Sequence, residues 1–385
     1  MNLLAKKLIL KVLASAGITL NGPAPEDIQV YDQRFYKRVF LGGSLGLGES
    51  YVDGWWDVSA LDTFFARLLS RDLPAWVENS PPLLLTTLIN RLTNFPSWRP
   101  CHIGRAHYDI GNDLYEAMLG PTMAYSCAYW KGSRTLDEAQ EAKYELACRK
   151  LGLRHGQRVL DIGCGWGGLA RYAAMHYGVK VTGITVSREQ ERLARERCRS
   201  LDVEIRYQDY RDVRESFDHI VSIGMFEHVG YKNYSTYIDV IRRSLHNNGL
   251  CLLHTIGSLR SSTHVDPWIS SYVFPDSKIP SLAQIARAVE GALVTEDLEN
   301  IGADYDRTLM AWWQNFETAW PTLGQRYNER FRRMWRYYLL MCAGIFRSRR
   351  EQVWQIVLSP NGVTGGYRRP VGQTERVLER EKYFV

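Results

Sequence analysis

The stretch Arg158-Val159-Leu160-Asp161-Ile162-Gly163-Cys164-Gly165-Trp166-Gly167-Gly168-Leu169-Ala170 decides the fold. It opens as the end of a buried strand, passes through a glycine-rich turn and enters a helix that continues through Arg171-Tyr172-Ala173-Ala174. Strand, glycine turn and helix N-terminus make a nucleotide-binding corner. Glycine is required where backbone adopts φ > 0 and lies against a ligand without a Cβ in the way. Gly163, Gly165 and Gly168 also fit the dinucleotide pattern G-x-G-x-x-G. A dinucleotide site needs an acid about 20 residues further on, for the ribose. The next expected strand, Val179 to Thr185, is followed by Val186-Ser187 with no acid. A carboxylate stands instead at Asp161, ahead of the first glycine, where it suits the ammonium group of S-adenosylmethionine (AdoMet). The reading favours AdoMet over NAD or FAD, with a ligand-free tight turn as the plain alternative. The ribose then needs another partner, and Thr185, Ser187 and Gln190 are the candidates.

At 385 residues, 45% hydrophobic and 23% charged, the chain can bury a sizeable core and suits two domains. The longest mainly apolar stretch, Tyr337 to Phe346, is about half the length of a membrane span, and arginines flank it. Met1 to Leu20 reads as an amphipathic basic helix with Lys6, Lys7 and Lys11, not as a signal peptide. The seven cysteines include no C-x-x-C pair, so reduced thiols in a cytoplasmic protein are the simplest expectation.

The net charge of +6 is unevenly spread. No acid precedes Glu26, and Arg326 to Arg350 holds eight arginines against one acid, Glu329. Aromatic residues are interleaved. Such a basic face suits an anionic lipid surface or nucleic acid, and the bland alternative is an arginine face packed on its own fold. No zinc finger, RRM or other nucleic-acid module is present.

A small N-terminal domain is expected over residues 1–95, a linker at 96–103 around Pro96 and Pro100, and a catalytic domain over 104–385. Within the first, Ile28–Tyr31 and Arg34–Phe40 alternate like strands, Gly42–Tyr51 reads as turns, and Asp62–Leu69 and Leu83–Leu92 as helices. Beyond His102 the pattern is α/β. Strands are predicted at 158–161, 180–185, 203–208, 219–223, 250–255 and 353–358. Helices are predicted at 113–119, 136–151, 169–177, 188–200 and 234–245. This alternation predicts a doubly wound, mostly parallel, Rossmann-like sheet.

Ligands of such sheets sit at the carboxyl ends of the strands. Met225-Phe226-Glu227-His228-Val229 follows the fourth strand, and His254-Thr255-Ile256-Gly257 ends the fifth. Tyr125-Ser126-Cys127-Ala128-Tyr129-Trp130 precedes the first helix of the α/β region, and Gly302-Ala303-Asp304-Tyr305-Asp306 lies further on. Each residue alone has an ordinary structural explanation; together they bring a carboxylate, an imidazole, a thiol and a phenol to one edge. No H-E-x-x-H or H-x-H pair suggests a metal. Amine-directed nucleic-acid methyltransferases carry Asn/Asp-Pro-Pro-aromatic after the fourth strand, so Met-Phe-Glu-His-Val disfavours them.

These segments, with Val265–Ile269 and Gly302–Trp312, resemble the bacterial cyclopropane-fatty-acyl-phospholipid synthases over nearly the whole chain. Motif I, Val159–Gly168, resembles that of the class I AdoMet-dependent methyltransferases. The mycobacterial mycolic acid synthases resemble only the C-terminal part, whereas the phospholipid enzymes carry an added N-terminal domain.

The resemblance implies transfer of a methylene group from AdoMet to the cis double bond of an unsaturated phospholipid acyl chain. The carbocation formed on the chain loses a proton to bound bicarbonate and closes the ring. The bicarbonate holders would be Cys127, Glu227, His254, Ile256 (by its backbone N–H) and Tyr305. The AdoMet contacts would be Tyr108, Tyr125, Ser126, Gly163, Gly165, Thr185, Gln190, Asp209 and Tyr210, beside Asp161. It further implies a cytoplasmic protein peripherally associated with the inner membrane, binding a bilayer and no nucleic acid, and is compatible with a homodimer. Docking is expected through the basic N-terminal domain and Arg326–Arg350. The competing readings are a methyltransferase that leaves the chain unclosed and a silent lipid-binding protein.

Overall fold

The computed structural model describes residues 2–70, 111–262, 265–275 and 277–370. The chain forms two compact units, and both are assembled from separated segments. One comprises Met1–Leu114, His264–Asp276 and Leu309–Glu351; the other comprises Tyr115–Thr263, Ser277–Thr308 and Gln352–Val385. This differs from the division at residues 95 and 104 read from the sequence, because the arginine-rich segment joins the N-terminal unit. The expected linker 96–103 and helix Leu83–Leu92 lie outside the described residues.

The second unit holds a seven-stranded sheet of β1 (Arg158–Ile162), β2 (Lys180–Thr185), β3 (Val203–Tyr207), β4 (Phe217–Ile223), β5 (Leu245–Ser258), β6 (Val294–Asn300) and β7 (Glu351–Ser359). Their order is β3-β2-β1-β4-β5-β7-β6. The β1–β2, β2–β3, β1–β4 and β4–β5 pairs are parallel, and β6 runs antiparallel to β7. The order reverses between β1 and β4, where a doubly wound sheet opens its binding crevice.

Both faces of the central strands are covered, so every residue of β1 and β2 after the first is buried, the polar Asp161, Thr182 and Thr185 included. Strand alternation sorts the core. Val159, Val181 and Val221 meet Ala147, Leu151, Leu169, Ala170 and Ala173 from the helices Leu136–Leu151 and Gly168–Tyr177. Leu160, Ile162, Ile184 and Ile220 meet Tyr237, Ile238, Ile241 and Ile285 on the other face. A capping box fixes the start of Leu136–Leu151: Thr135 accepts from the Glu138 N–H while the Glu138 carboxylate accepts from the Thr135 N–H. At the start of Gly168–Tyr177 a Cβ on Gly168 would lie 2.4 Å from the Tyr144 hydroxyl and 2.7 Å from the Thr122 carbonyl oxygen. Gly168→Ala is therefore expected to destabilise the protein by about 1–3 kcal/mol, measured by urea unfolding.

Strand β6 escaped the sequence reading because Val294-Thr295-Glu296-Asp297-Leu298-Glu299-Asn300 is polar. As the edge strand it buries no continuous apolar face. The helix Leu282–Val289 was likewise not assigned, and the long helices Ala303–Leu323 and Glu329–Arg347 were given no bounds.

The N-terminal unit corrects two expectations. Arg34–Phe40 is helical, and so is Gly42–Tyr51: both lie in Arg34–Val52, a helix kinked at Gly43. Among the described residues of this unit, the strands are the short pair Gln29–Val30 and Trp56–Asp57. The later glycines of that helix serve close packing, since a Cβ on Gly48 would sit 2.2 Å from the Trp268 ring. The apolar positions that mimicked strand alternation instead feed an aromatic core of Phe35, Tyr51, Trp56, Phe64 and Tyr337.

The second correction concerns Arg326–Arg350, which was expected to dock on lipid. Within this unit Arg326 pairs with Asp113, Arg330 with Asp53, Arg332 with Glu317, Arg333 and Arg336 with Asp57, and Arg347 with Asp62. Arg350 donates to the Leu69 carbonyl. The run has almost no acids of its own, and Asp53, Asp57 and Asp62 of the N-terminal segment, with Asp113 and Glu317, supply its counter-charges. These guanidinium groups fasten the helix Glu329–Arg347 to its own unit and are not a free cationic face. Among the described residues no helix is long and apolar enough to cross a membrane.

Candidate active site at the carboxyl ends of the strands

The second unit carries the described residues named from the sequence, and several of them stand at or just after the carboxyl ends of β1–β5; Tyr108 lies outside the described residues. Gly163, Gly165 and Gly167 all have positive φ. The Gly163 and Cys164 N–H groups donate to the Ile184 carbonyl at 2.9 and 3.0 Å, which ties the turn to the end of β2. Asp161 is buried, and burial pushes its carboxyl up to about 7. A buried carboxylate held that high gains much from a cationic partner.

At the end of β2, Thr185 Oγ1 and Gln190 Oε1 lie 2.8 Å apart, so the Thr185 hydroxyl donates to the amide oxygen. Ser187 caps the next helix by accepting from the Gln190 N–H at 3.3 Å. Thr185 and Gln190 thus form a polar corner where an acid is missing, and Ser187 is spent on the cap. After β3, Asp209 accepts from the Arg211 backbone N–H and guanidinium, which hold its carboxyl below the usual range. That carboxylate is engaged at 2.7–2.9 Å. Tyr210 is buried with its ring against Tyr237.

After β4 the chain closes over the turn. A Cβ on Gly163 would lie 2.8 Å from Met225, and one on Gly224 would lie 3.7 Å from Ser126. The Gly224 N–H donates to the His254 carbonyl at 2.9 Å. Glycine turn, β4 loop, end of β5 and the Tyr125–Trp130 segment therefore converge. Tyr125 packs edge-on against Tyr115, 5.4 Å between centroids.

Glu227 sits in the turn Phe226–His228, buried, and burial pushes its carboxyl up to about 7. Its Oε1 accepts from the Ile256 N–H at 2.6 Å. Its Oε2 is buried without a hydrogen-bond partner. Ile256 N–H, expected to serve a bound anion, is thus already engaged by Glu227. His254 is buried, which drives its imidazole well below the ordinary range and keeps it neutral. Gln355 Nε2 lies 3.2 Å from His254 Nδ1, and an amide nitrogen can only donate. Nδ1 therefore accepts and Nε2 carries the hydrogen, a neutral donor.

Cys127 is buried with its thiol directed to the Ala128 and Ile301 carbonyls at 3.3 and 3.8 Å. Burial raises it well above the ordinary thiol range, so it stays protonated and is no nucleophile. The segment around it is stitched to the start of Ala303–Leu323. The Ala128 N–H and Trp130 indole donate to Thr308 Oγ1 at 3.1 and 2.9 Å, and the Trp130 N–H donates to Asp304 at 3.0 Å. Cys127 and Tyr305 lie beside these links in sequence, and both are buried. Gln355, Thr308 and Gln140, which donates to the Ser126 carbonyl at 3.0 Å, were not singled out from sequence. Only the folded register reveals them.

Residues 98–356 match the family model described as mycolic acid cyclopropane synthetase. The chain belongs to this family. It is 52% identical over 362 residues to the cyclopropane-fatty-acyl-phospholipid synthase of Escherichia coli K12, covering 93% of this chain and 94% of that protein. It is 31% identical over 387 residues to the tuberculostearic acid methyltransferase UfaA1 of Mycobacterium tuberculosis, covering 93% and 89%. The solved cyclopropane synthase MmaA2 of M. tuberculosis matches with a TM-score of 0.62 at 30% identity, over 68% of this chain and 98% of that one. The structure of mycolic acid cyclopropane synthase CmaA1, solved with SAH and CTAB, matches with the same score and identity. The chain is accordingly an AdoMet-dependent methyltransferase of class I fold.

Proposed function

We propose that this enzyme transfers a methylene group from AdoMet to the cis double bond of unsaturated phospholipid acyl chains, with bicarbonate as the base. The observation that carries the reading is the enclosed set Glu227, His254, Ile256, Cys127 and Tyr305 beside an AdoMet-type glycine turn. Glu227 Oε2, buried and unpartnered, asks for one small hydrogen-bonding guest.

Bound AdoMet would supply an electrophilic methyl group, and bicarbonate would supply an acceptor for the proton that this methyl must lose. Asp161 would take the ammonium group, Thr185 and Gln190 the ribose, and the positive-φ glycines give the ligand backbone clearance. His254 Nε2–H donates toward an anion. Glu227 Oε2 accepts, which selects an anion that keeps a hydrogen, bicarbonate over carbonate. Cys127 and Tyr305 wall the pocket, and the buried surroundings exclude water that would otherwise quench a carbocation.

The decisive experiment incubates the enzyme with methyl-labelled AdoMet and unsaturated phospholipid vesicles and reads the product by NMR. Cyclopropane ring protons support the proposal. A methyl or methylene branch without a ring overturns it. Turnover in carbonate-free buffer should fall and be restored by added bicarbonate.

The substrate double bond lies within a bilayer, so the enzyme must work as a peripheral protein at the membrane surface. The helix Asn2–Ser15 supports this. Leu3 and Leu4 are exposed, at 69% and 48%, with Lys7 and Lys11 exposed beside them. Apolar residues among lysines suit an anionic interface. Replacing Leu3 and Leu4 by Glu is expected to lower turnover on anionic vesicles several-fold and leave AdoMet affinity unchanged, measured by co-sedimentation and calorimetry. Undiminished vesicle turnover would remove this helix from the docking surface.

A further inference from the structure

The helix Leu136–Leu151 carries two fully buried lysines one heptad apart, Lys143 and Lys150. A buried ammonium is costly unless something compensates its charge. Lys150 has its partner: Nζ lies 2.5 Å from Glu299 Oε2. Lys143 has no ion-pair partner among the described carboxylates. Its Nζ donates to Ser126 Oγ at 2.8 Å and lies 4.9 Å from the Tyr144 ring centroid. A hydroxyl and a ring face stabilise a cation only in part. Yet an apolar side chain at this position would avoid the cost entirely.

The place of Lys143 suggests what completes it. Ser126 adjoins Cys127 in sequence and Gly224 in space, at the mouth of the β4 loop that presents Glu227. The charge of Lys143 acts on both Cys127 and His254. Thus, among the described residues, the one buried lysine without a carboxylate partner is bonded to the residue next to Cys127, and its charge is felt at both Cys127 and His254.

We propose that Lys143 is the fixed cation of that pocket, a positioning residue whose charge holds bicarbonate among Cys127, His254 and Glu227. The inference rests on the bicarbonate reading and adds to it the source of affinity. His254 is neutral and Glu227 repels an anion, so hydrogen bonds alone would have to overcome both repulsion and desolvation. With Lys143 charged, the count closes: one ammonium and the AdoMet sulfonium stand against Glu227 and bicarbonate. Burial has pushed Lys143 down to about 7 in the absence of the anion, so arrival of a negative charge also restores its proton.

The test uses the full-length enzyme on unsaturated phospholipid vesicles in carbonate-free buffer, with bicarbonate added back. Lys143→Met keeps the length and apolar stem of the side chain and should fold, as thermal unfolding will show. Its half-saturating bicarbonate concentration is expected to rise at least about tenfold, the effect of one unit charge at close range. Its KM for AdoMet should stay within about twofold, and Lys143→Arg should recover much of the bicarbonate affinity. An unchanged bicarbonate requirement in folded Lys143→Met overturns the proposal. So does a loss confined to AdoMet affinity, which would mean that Lys143 acts only through Ser126. Should Lys143→Met fail to fold, Lys143→Gln takes its place: a bicarbonate requirement raised in folded Lys143→Gln and near wild type in Lys143→Arg supports the proposal, and an unchanged requirement in Lys143→Gln overturns it. A wild-type enzyme indifferent to bicarbonate would instead refute the base assignment itself.

Discussion

Glu227→Gln is expected to lower turnover at least about a hundredfold while AdoMet still binds. The carboxylate performs two tasks that an amide cannot perform together. Oε1 accepts from the Ile256 N–H at 2.6 Å, and Oε2 is buried with nothing to accept from. Glutamine can keep the first bond with its oxygen but then turns an NH2 toward the guest, a donor where an acceptor is needed. The wild-type rate should also fall as pH drops below about 7, where burial leaves Glu227 protonated. Cys127→Ser should retain a measurable fraction of the rate, because the thiol is held protonated by burial and only lines the wall. Initial rates on vesicles, with AdoMet titrated calorimetrically into the same preparations, check both. A wild-type rate for Glu227→Gln, or a covalent adduct trapped on Cys127, would falsify these roles.

Asp161→Asn should have opposite effects on binding and on stability. The ligand loses a charge-assisted bond, about 1.5–3 kcal/mol, so AdoMet affinity falls roughly ten- to more than a hundredfold. The free protein gains. The native carboxyl titrates near 7, above its ordinary value of 3.8, so between those values the folded state binds more protons than the unfolded one. Stability therefore declines as pH rises through that window, and the cost is complete above about 7. Asparagine removes it, for a gain on the order of 1–4 kcal/mol at pH 8 and about half a kcal/mol at pH 4. Urea unfolding at the two pH values measures this. An equal effect at both would show that the carboxyl's ionisation is not the cause.

What could be read from the sequence was what local physics determines. The glycine turn with Asp161 needs only its own neighbours, and the strands at 180–185 and 158–162 are short runs marked by β-branched residues. The strand-end positions of Glu227 and His254 followed from the fold class. What could not be read depended on distant partners. The arginines looked like a free basic face because Asp57 lies 276 residues from Arg333. Gln355 sets the His254 tautomer across 101 residues, through a strand register that no motif encodes. Arg34–Phe40 imitates strand alternation since the helix buries Phe35 and Tyr36 side by side in an aromatic core. Lys143 carried no signal at all in a helix whose lysines would ordinarily face water.

The helix Glu329–Arg347 has a consequence for how the protein is made. Tyr51, Trp56 and Phe64 emerge early from the ribosome, but Tyr337 and the arginines that pair with Asp53, Asp57 and Asp62 follow some 280 residues later. At ordinary elongation rates that delay is on the order of tens of seconds. For that interval the nascent chain carries an aromatic surface, and Asp57 and Asp62 wait for their arginines while Asp53 has Arg38 alone. The N-terminal segment is therefore a poor candidate for expression alone, and supplying the missing helix in trans should rescue its solubility.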